Sequence, residues 1–99
     1  MKKQWKTKAI SEFLETILSL DNTKDLQNFM RDVATIRELT EMSARWGAAQ
    51  MLNDGQSYRK ISQSTGLSTT TVTRIAYWIE NGEGGYKTVL KKIQNHHAP

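Results

Sequence analysis

Between Gly66 and Ile75 the chain reads GLSTTTVTRI, a run of hydroxyl side chains at Ser68, Thr69, Thr70, Thr71 and Thr73 followed by Arg74. A hydroxyl both donates and accepts hydrogen bonds, threonine adds a methyl group, and the guanidinium of arginine is a fork of donors. Placed on one exposed surface, this set matches base-pair edges in a DNA major groove. Threonine can meet a donor, an acceptor or the thymine methyl, and arginine can grip guanine in two bonds or a phosphate in one. β-branched residues weaken a helix by up to about 0.7 kcal/mol each relative to alanine, a cost that a good interface outweighs. The competing reading of the same residues is a capping tract with no partner.

Charge placement favours the interface. The formal net charge is +4, and no Asp or Glu stands between Asp54 and Glu80, so Arg59, Lys60 and Arg74 have no acidic neighbour in that stretch. Residues 1–8 carry Lys2, Lys3, Lys6 and Lys8; residues 9–57 carry eight acids against four bases; residues 58–99 carry six bases against two acids. A basic window free of acids suits a polyanion.

Positioning those side chains requires two short helices and a tight turn. Ser57 caps a helix to about Thr65, Gly66 closes it, Ser68 caps another to about Glu80, and Asn81-Gly82 stops that one. Counted from Tyr58, the fourth residue is Ile61, the fifth Ser62, the ninth Gly66, the tenth Leu67, the fifteenth Val72 and the eighteenth Ile75. Ile61, Leu67, Val72 and Ile75 supply a wedge between crossed helices, a small fifth residue lets the backbones approach, and glycine supplies a positive φ. Thr65 stands where an apolar residue is commoner. Residues 58–80 thus read as a helix-turn-helix. With Val72, Ile75, Ala76 and Ile79 on the inward stripe, Thr69, Thr70, Thr73, Arg74 and Tyr77 are left outward or at its border.

Upstream, Ile10, Phe13, Leu14, Ile17 and Leu18 share one helical face over residues 8–20. Thr23 is expected to cap a second helix carrying Leu26, Phe29 and Met30. Thr35 and Glu38 form a capping box for a long third helix with Ile36, Leu39, Met42, Trp46, Ala49 and Leu52, ended by Asn53-Asp54-Gly55. After the glycine-rich NGEGGY, Tyr86, Val89, Leu90 and Ile93 mark a last amphipathic helix. Nothing reads as strand. The class is all-α, with residues 1–99 as a single domain, and at 37% hydrophobic residues the core is lean enough to favour a dimer.

Several functions are disfavoured. With no cysteine there is neither a disulfide framework nor a catalytic thiol. His96 and His97 lack a third ligand nearby, so no metal or other cofactor is expected. No nucleophile is paired with a base and no carboxylates are paired, so an enzyme is not expected. Glu12 and Glu15 interrupt the apolar stretch behind the basic opening, which argues against a signal peptide and for a cytoplasmic protein with no membrane partner.

Read without gaps, QSYRKISQSTGLSTTTVTRIAYWI resembles the helix-turn-helix of the Trp repressor family, in which a comparable Thr-x-Thr-Arg opens the recognition helix. The likeness runs from the long helix before Asp54 to Ile93, about two thirds of the chain, and the NGEGGYKTVL ending resembles the YerC/YecD-type branch. The resemblance implies a six-helix, intertwined homodimer presenting two recognition helices to half-sites about one DNA turn apart. It also implies Arg59 on phosphate and Thr69, Thr70 and Thr73 over base edges. The DNA-contacting set expected from residues and resemblance together is Arg59, Lys60, Ser68, Thr69, Thr70, Thr73, Arg74 and Tyr77.

This sequence departs from the family at four places. Ser62 and Glu80 stand where the repressor has backbone-contacting lysines. Ala44 and Ile75 stand where the tryptophan-sensing member has an arginine and a glycine around the indole, while Arg74 matches its second arginine. The isoleucine would occupy the indole space, so tryptophan is not an expected effector; any other small-molecule effector is left open. The expected function is a dimeric, sequence-specific transcriptional regulator, a repressor acting on a pseudo-palindromic operator in double-stranded DNA. A helical protein-interaction module with a vestigial helix-turn-helix is the alternative. Trp46 and Trp78 are expected in core or subunit contacts and Arg45 in water or an ion pair. The basic residues 1–8 around Trp5 are expected to form an arm along DNA or a disordered tail.

Overall fold

The computed structural model describes residues 5–97, with side chains described through residue 94. Six helices follow one another: α1 (Lys8–Ser19), α2 (Thr23–Val33), α3 (Ile36–Asn53), α4 (Tyr58–Thr65), α5 (Thr69–Asn81) and α6 (Gly85–His97). No strand occurs among the described residues. The chain divides into two compact units, one up to Leu39 and one from Thr40 onward.

In the first unit the helix starts are fixed by side-chain caps. Thr7 accepts the Ile10 N–H at 3.1 Å to open α1. At α2 the cap is Asn22 rather than the expected Thr23, which becomes the first helical residue. Asparagine caps at least as well as threonine. Here its carbonyl oxygen accepts the Asp25 N–H while its amide donates to the Asp25 carboxylate, each at 2.8 Å. The expected capping box at α3 is formed: Thr35 Oγ1 accepts the Glu38 N–H at 3.0 Å and Glu38 Oε1 accepts the Thr35 N–H at 2.8 Å. The Thr35 backbone bond, reinforced by its hydroxyl, holds the Glu38 carboxyl below the usual carboxylate range.

Phe13 and Phe29 bring the apolar faces of α1 and α2 together, ring centroids 6.0 Å apart. Neither helix buries a single residue, and Leu18 is 85% exposed.

The core lies in the second unit. Ala48 and Ala49 of α3 pack with Ile61 of α4 and with Val72 and Ile75 of α5, surrounded by half-buried Trp46, Met51, Leu52, Leu67, Ile79 and Tyr86. The long helix turns the C-terminal part of the expected stripe inward: Ala49 is fully buried beside Ala48, with Trp46 and Leu52 half-buried against them, whereas Ile36 and Met42 remain exposed. Small side chains there let α4 and α5 bring their β-branched residues close to the α3 backbone, so the packing partner, not hydrophobicity alone, selects the buried face. Gly82 ends α5 with its N–H on the Trp78 carbonyl at 2.9 Å; a Cβ built there would sit 2.5 Å from that oxygen.

Candidate nucleic-acid interface

Beside its packing on Ala48 and Ala49, α5 is oriented by the turn before it. Ser57 Oγ accepts the Lys60 N–H at 3.1 Å to start α4, and Gly66, at φ 78°, ends it with its N–H on the Ser62 carbonyl at 2.9 Å. An L-side chain at that φ costs roughly 1–2 kcal/mol, which is why glycine occupies the ninth position.

Two polar residues then stitch the turn. Ser62 Oγ donates to the Leu67 carbonyl at 2.6 Å. Thr65 Oγ1 donates to the Ile61 carbonyl at 2.7 Å and accepts the Leu67 N–H at 3.2 Å. Thr65, the soft match in the sequence pattern, therefore pairs the Leu67 N–H, which has no backbone partner in the turn. A hydroxyl residue one position before the turn glycine, at a half-buried site, was the signal for it.

Beneath the turn, Ile61 and Val72 are fully buried and Ile75 is 2% exposed, with Leu67 half-buried. The wedge is thus the expected one. Its geometry leaves Arg59, Lys60, Ser68, Thr69, Thr70, Thr73, Arg74 and Tyr77 all exposed, while Thr71, between them in sequence, is half-buried. The site residues come from α4, the turn and α5. None of Arg59, Lys60 and Arg74 is ion-paired among the described residues; the pairs found are Lys8–Glu12, Arg45–Glu41 and Lys87–Glu80.

The hydroxyls differ in what they have left to offer. Ser68 Oγ accepts the Thr71 N–H and donates to Thr71 Oγ1, both at 3.0 Å, so it is committed to capping although exposed. Thr73 Oγ1 donates to the Thr69 carbonyl at 2.9 Å. One turn beyond Thr73, the Tyr77 ring stands edge-on to Trp78 at 5.1 Å and 82°.

Around the third helix, Arg45 is paired with Glu41 at 3.1 Å, as an i,i+4 pair on a helix surface should be. Trp46 is half-buried and parallel to Tyr86, with centroids 6.4 Å apart. Of the two placements expected for Trp78, core or subunit contact, the core of its own chain is not the one it takes: it is 54% exposed at the mouth of an apolar groove of about 550 Å³ shared with Trp46, Tyr86 and Val89. It follows Ile75 by three residues, on the edge rather than the centre of the buried stripe. Lys8 is the first residue of α1, where the helix is expected to begin, and pairs with Glu12 at 3.9 Å. Lys6 lies 5.6 Å over the Trp5 ring, and Lys2 and Lys3 lie outside the described residues. Among the described residues, no helix is long and apolar enough to cross a membrane.

The family model for Trp repressor protein matches residues 8–94. The uncharacterized protein YerC of Bacillus subtilis (strain 168) is 31% identical over 87 residues, 88% of this chain and 84% of YerC. The crystal structure of a TrpR like protein from Eubacterium eligens ATCC 27750 superposes with a TM-score of 0.84 at 34% identity, over 89% of this chain and 91% of the other. A solved structure from Staphylococcus aureus superposes with a TM-score of 0.83 at 29% identity, covering 90% and 89% of the two chains.

Proposed function

The chain belongs to the Trp repressor family, and from that premise we propose that it is a dimeric, sequence-specific DNA-binding regulator that represses by occupying a pseudo-palindromic operator. The observation that carries this reading is the two-sided character of α5. Val72 and Ile75 are buried in the wedge, while Thr69, Thr70, Thr73, Arg74 and Tyr77 are exposed, as are Arg59 and Lys60, neither of which is ion-paired among the described residues. Arg59 and Lys60 take phosphates and set the register, the threonines meet base edges, Arg74 takes guanine or phosphate, and Ser68 holds the helix start rather than reading bases.

A second copy is part of this proposal because α1 and α2 expose too much apolar surface alone. Ile10, Leu14, Leu18 and Val33 are each at least 38% exposed with no buried residue in either helix, a pattern that marks an interface. Two copies present two recognition helices, which matches an operator of two half-sites.

The decisive experiment enriches bound fragments from a genomic DNA pool with purified protein and sequences them. A two-fold symmetric consensus is expected; no enrichment over input would defeat the proposal. In titrations on that consensus, Arg59→Ala is expected to weaken binding to matched and mismatched duplexes by the same factor, since a phosphate contact carries no base information.

The exposed groove at Trp46, Trp78 and Tyr86 is the one feature that favours the other reading, a protein-binding module with a disused helix-turn-helix. That reading requires that duplex DNA not shift at physiological salt.

We further propose that tryptophan is not the effector. Ile75 is packed among Ala48, Ala49, Ile61 and Val72, and Arg45 is engaged with Glu41. Titration calorimetry with L-tryptophan is expected to show no saturable heat in the micromolar range; a saturable isotherm would contradict the assignment.

A further inference from the structure

The exposed hydroxyls of α5 are chemically unequal, and this bears on which bases they can read. A threonine hydroxyl has one hydrogen and two lone pairs. Thr73 has given its hydrogen to the Thr69 carbonyl at 2.9 Å, one turn back in the same helix. Toward solvent it therefore presents lone pairs and a methyl group, with no donor. Ser68 Oγ is engaged with Thr71 Oγ1 at 3.0 Å, hydroxyl to hydroxyl. The hydroxyls of Thr69 and Thr70 donate to no protein acceptor among the described residues, so they can still act in either sense. Arg74, immediately after Thr73, is a donor only.

Resting on the DNA-binding function proposed above, we propose that Thr73 reads an exocyclic amino group, adenine N6 or cytosine N4, and so disfavours guanine or thymine at that place in each half-site. In the major groove only adenine and cytosine present an N–H; guanine N7 and O6 and thymine O4 are all acceptors. Opposite guanine or thymine, the Thr73 oxygen would face another lone pair. To donate instead, its hydroxyl would have to leave the Thr69 carbonyl, forfeiting one neutral hydrogen bond, about three- to tenfold in affinity. Acceptor-only Thr73 beside donor-only Arg74 also complements a G·C pair, which shows acceptors on guanine and a donor on cytosine.

The test is a selection from duplexes randomised over one half-site, repeated with Thr73→Val and Thr73→Ser. Valine keeps the shape and a methyl but removes the acceptor; serine keeps the hydroxyl and removes the methyl. For the natural protein, one position per half-site is expected to favour adenine or cytosine over guanine or thymine by about three- to tenfold. Thr73→Val should flatten that position alone, and Thr73→Ser should keep its preference. Equal thermal midpoints for the three proteins by circular dichroism would exclude misfolding as the cause. The proposal is overturned if the position altered by Thr73→Val favours guanine or thymine in the natural protein, or if Thr73→Val changes no position. Failure of the natural protein to enrich any sequence would overturn the DNA-binding function as well, an outcome distinct from enrichment without the amino-base preference.

Discussion

Ile61→Ala is expected to lower the free energy of unfolding by about 2–5 kcal/mol, the range for truncating a fully buried branched side chain. Ile61 is 0% exposed and stands at the centre of the cluster formed with Ala48, Ala49, Val72 and Ile75. Its neighbours have little freedom to collapse into the space, because two of them are alanines on one helix and the others already lock the crossed pair. Domains of this size are stable by only about 5–15 kcal/mol, so one substitution removes a large share. Urea melts at fixed protein concentration should show a lower midpoint with unchanged slope. Thr70→Ala, on the exposed side of α5, should shift stability by no more than about 0.5 kcal/mol. Equal midpoints for Ile61→Ala and the natural protein would mean the wedge does not hold the helices.

The second large effect concerns salt. Arg59 and Lys60, with or without Arg74, are unpaired among the described residues, and the proposed dimer would bring four to six such cations to the duplex. Each phosphate neutralised releases counterions, so log K should fall against log salt with a slope of about −4 to −5. Between 50 and 200 mM salt, this corresponds to roughly a hundred- to a thousandfold loss of affinity. Filter binding or fluorescence anisotropy on the selected consensus measures it directly. Arg59→Ala should flatten the slope by about 2 in a dimer. A slope near zero would show that these cations do not meet phosphates, whatever else the protein binds.

Much of this architecture is legible before any coordinates, for identifiable reasons. The turn is a short-range object: Ser57, Gly66 and Ser68 act on backbone groups within three or four residues, so their spacing alone marks where α4 begins and ends and where α5 begins. The same holds for the Thr35–Glu38 box. Legibility fails where two local choices compete or where distant partners decide. Asn22 and Thr23 are both able caps, and the choice depends on which lets Asp25 be engaged. The face that α3 buries is set by the helices lying against Ala48 and Ala49, not by its larger apolar residues. Within the candidate site, exposure of the α5 residues follows from helical periodicity. The direction of each hydroxyl does not, since it depends on a rotamer settled by the neighbouring carbonyl. Thr73 and Thr70 look alike in the sequence and differ in the fold for that reason.

The buried Ile75 also sets a threshold for anyone who would make this protein answer to a small molecule. Carving out its side chain leaves a void whose cost, about 2–5 kcal/mol, falls on the empty protein. A ligand present at a thousand times its dissociation constant stabilises the form it binds by about 4.1 kcal/mol. The compound would then act as a stabiliser and not as a switch: the emptied protein, drawing on about 5–15 kcal/mol, stays folded but weakened, and dosage raises its melting midpoint instead of exchanging two folded shapes.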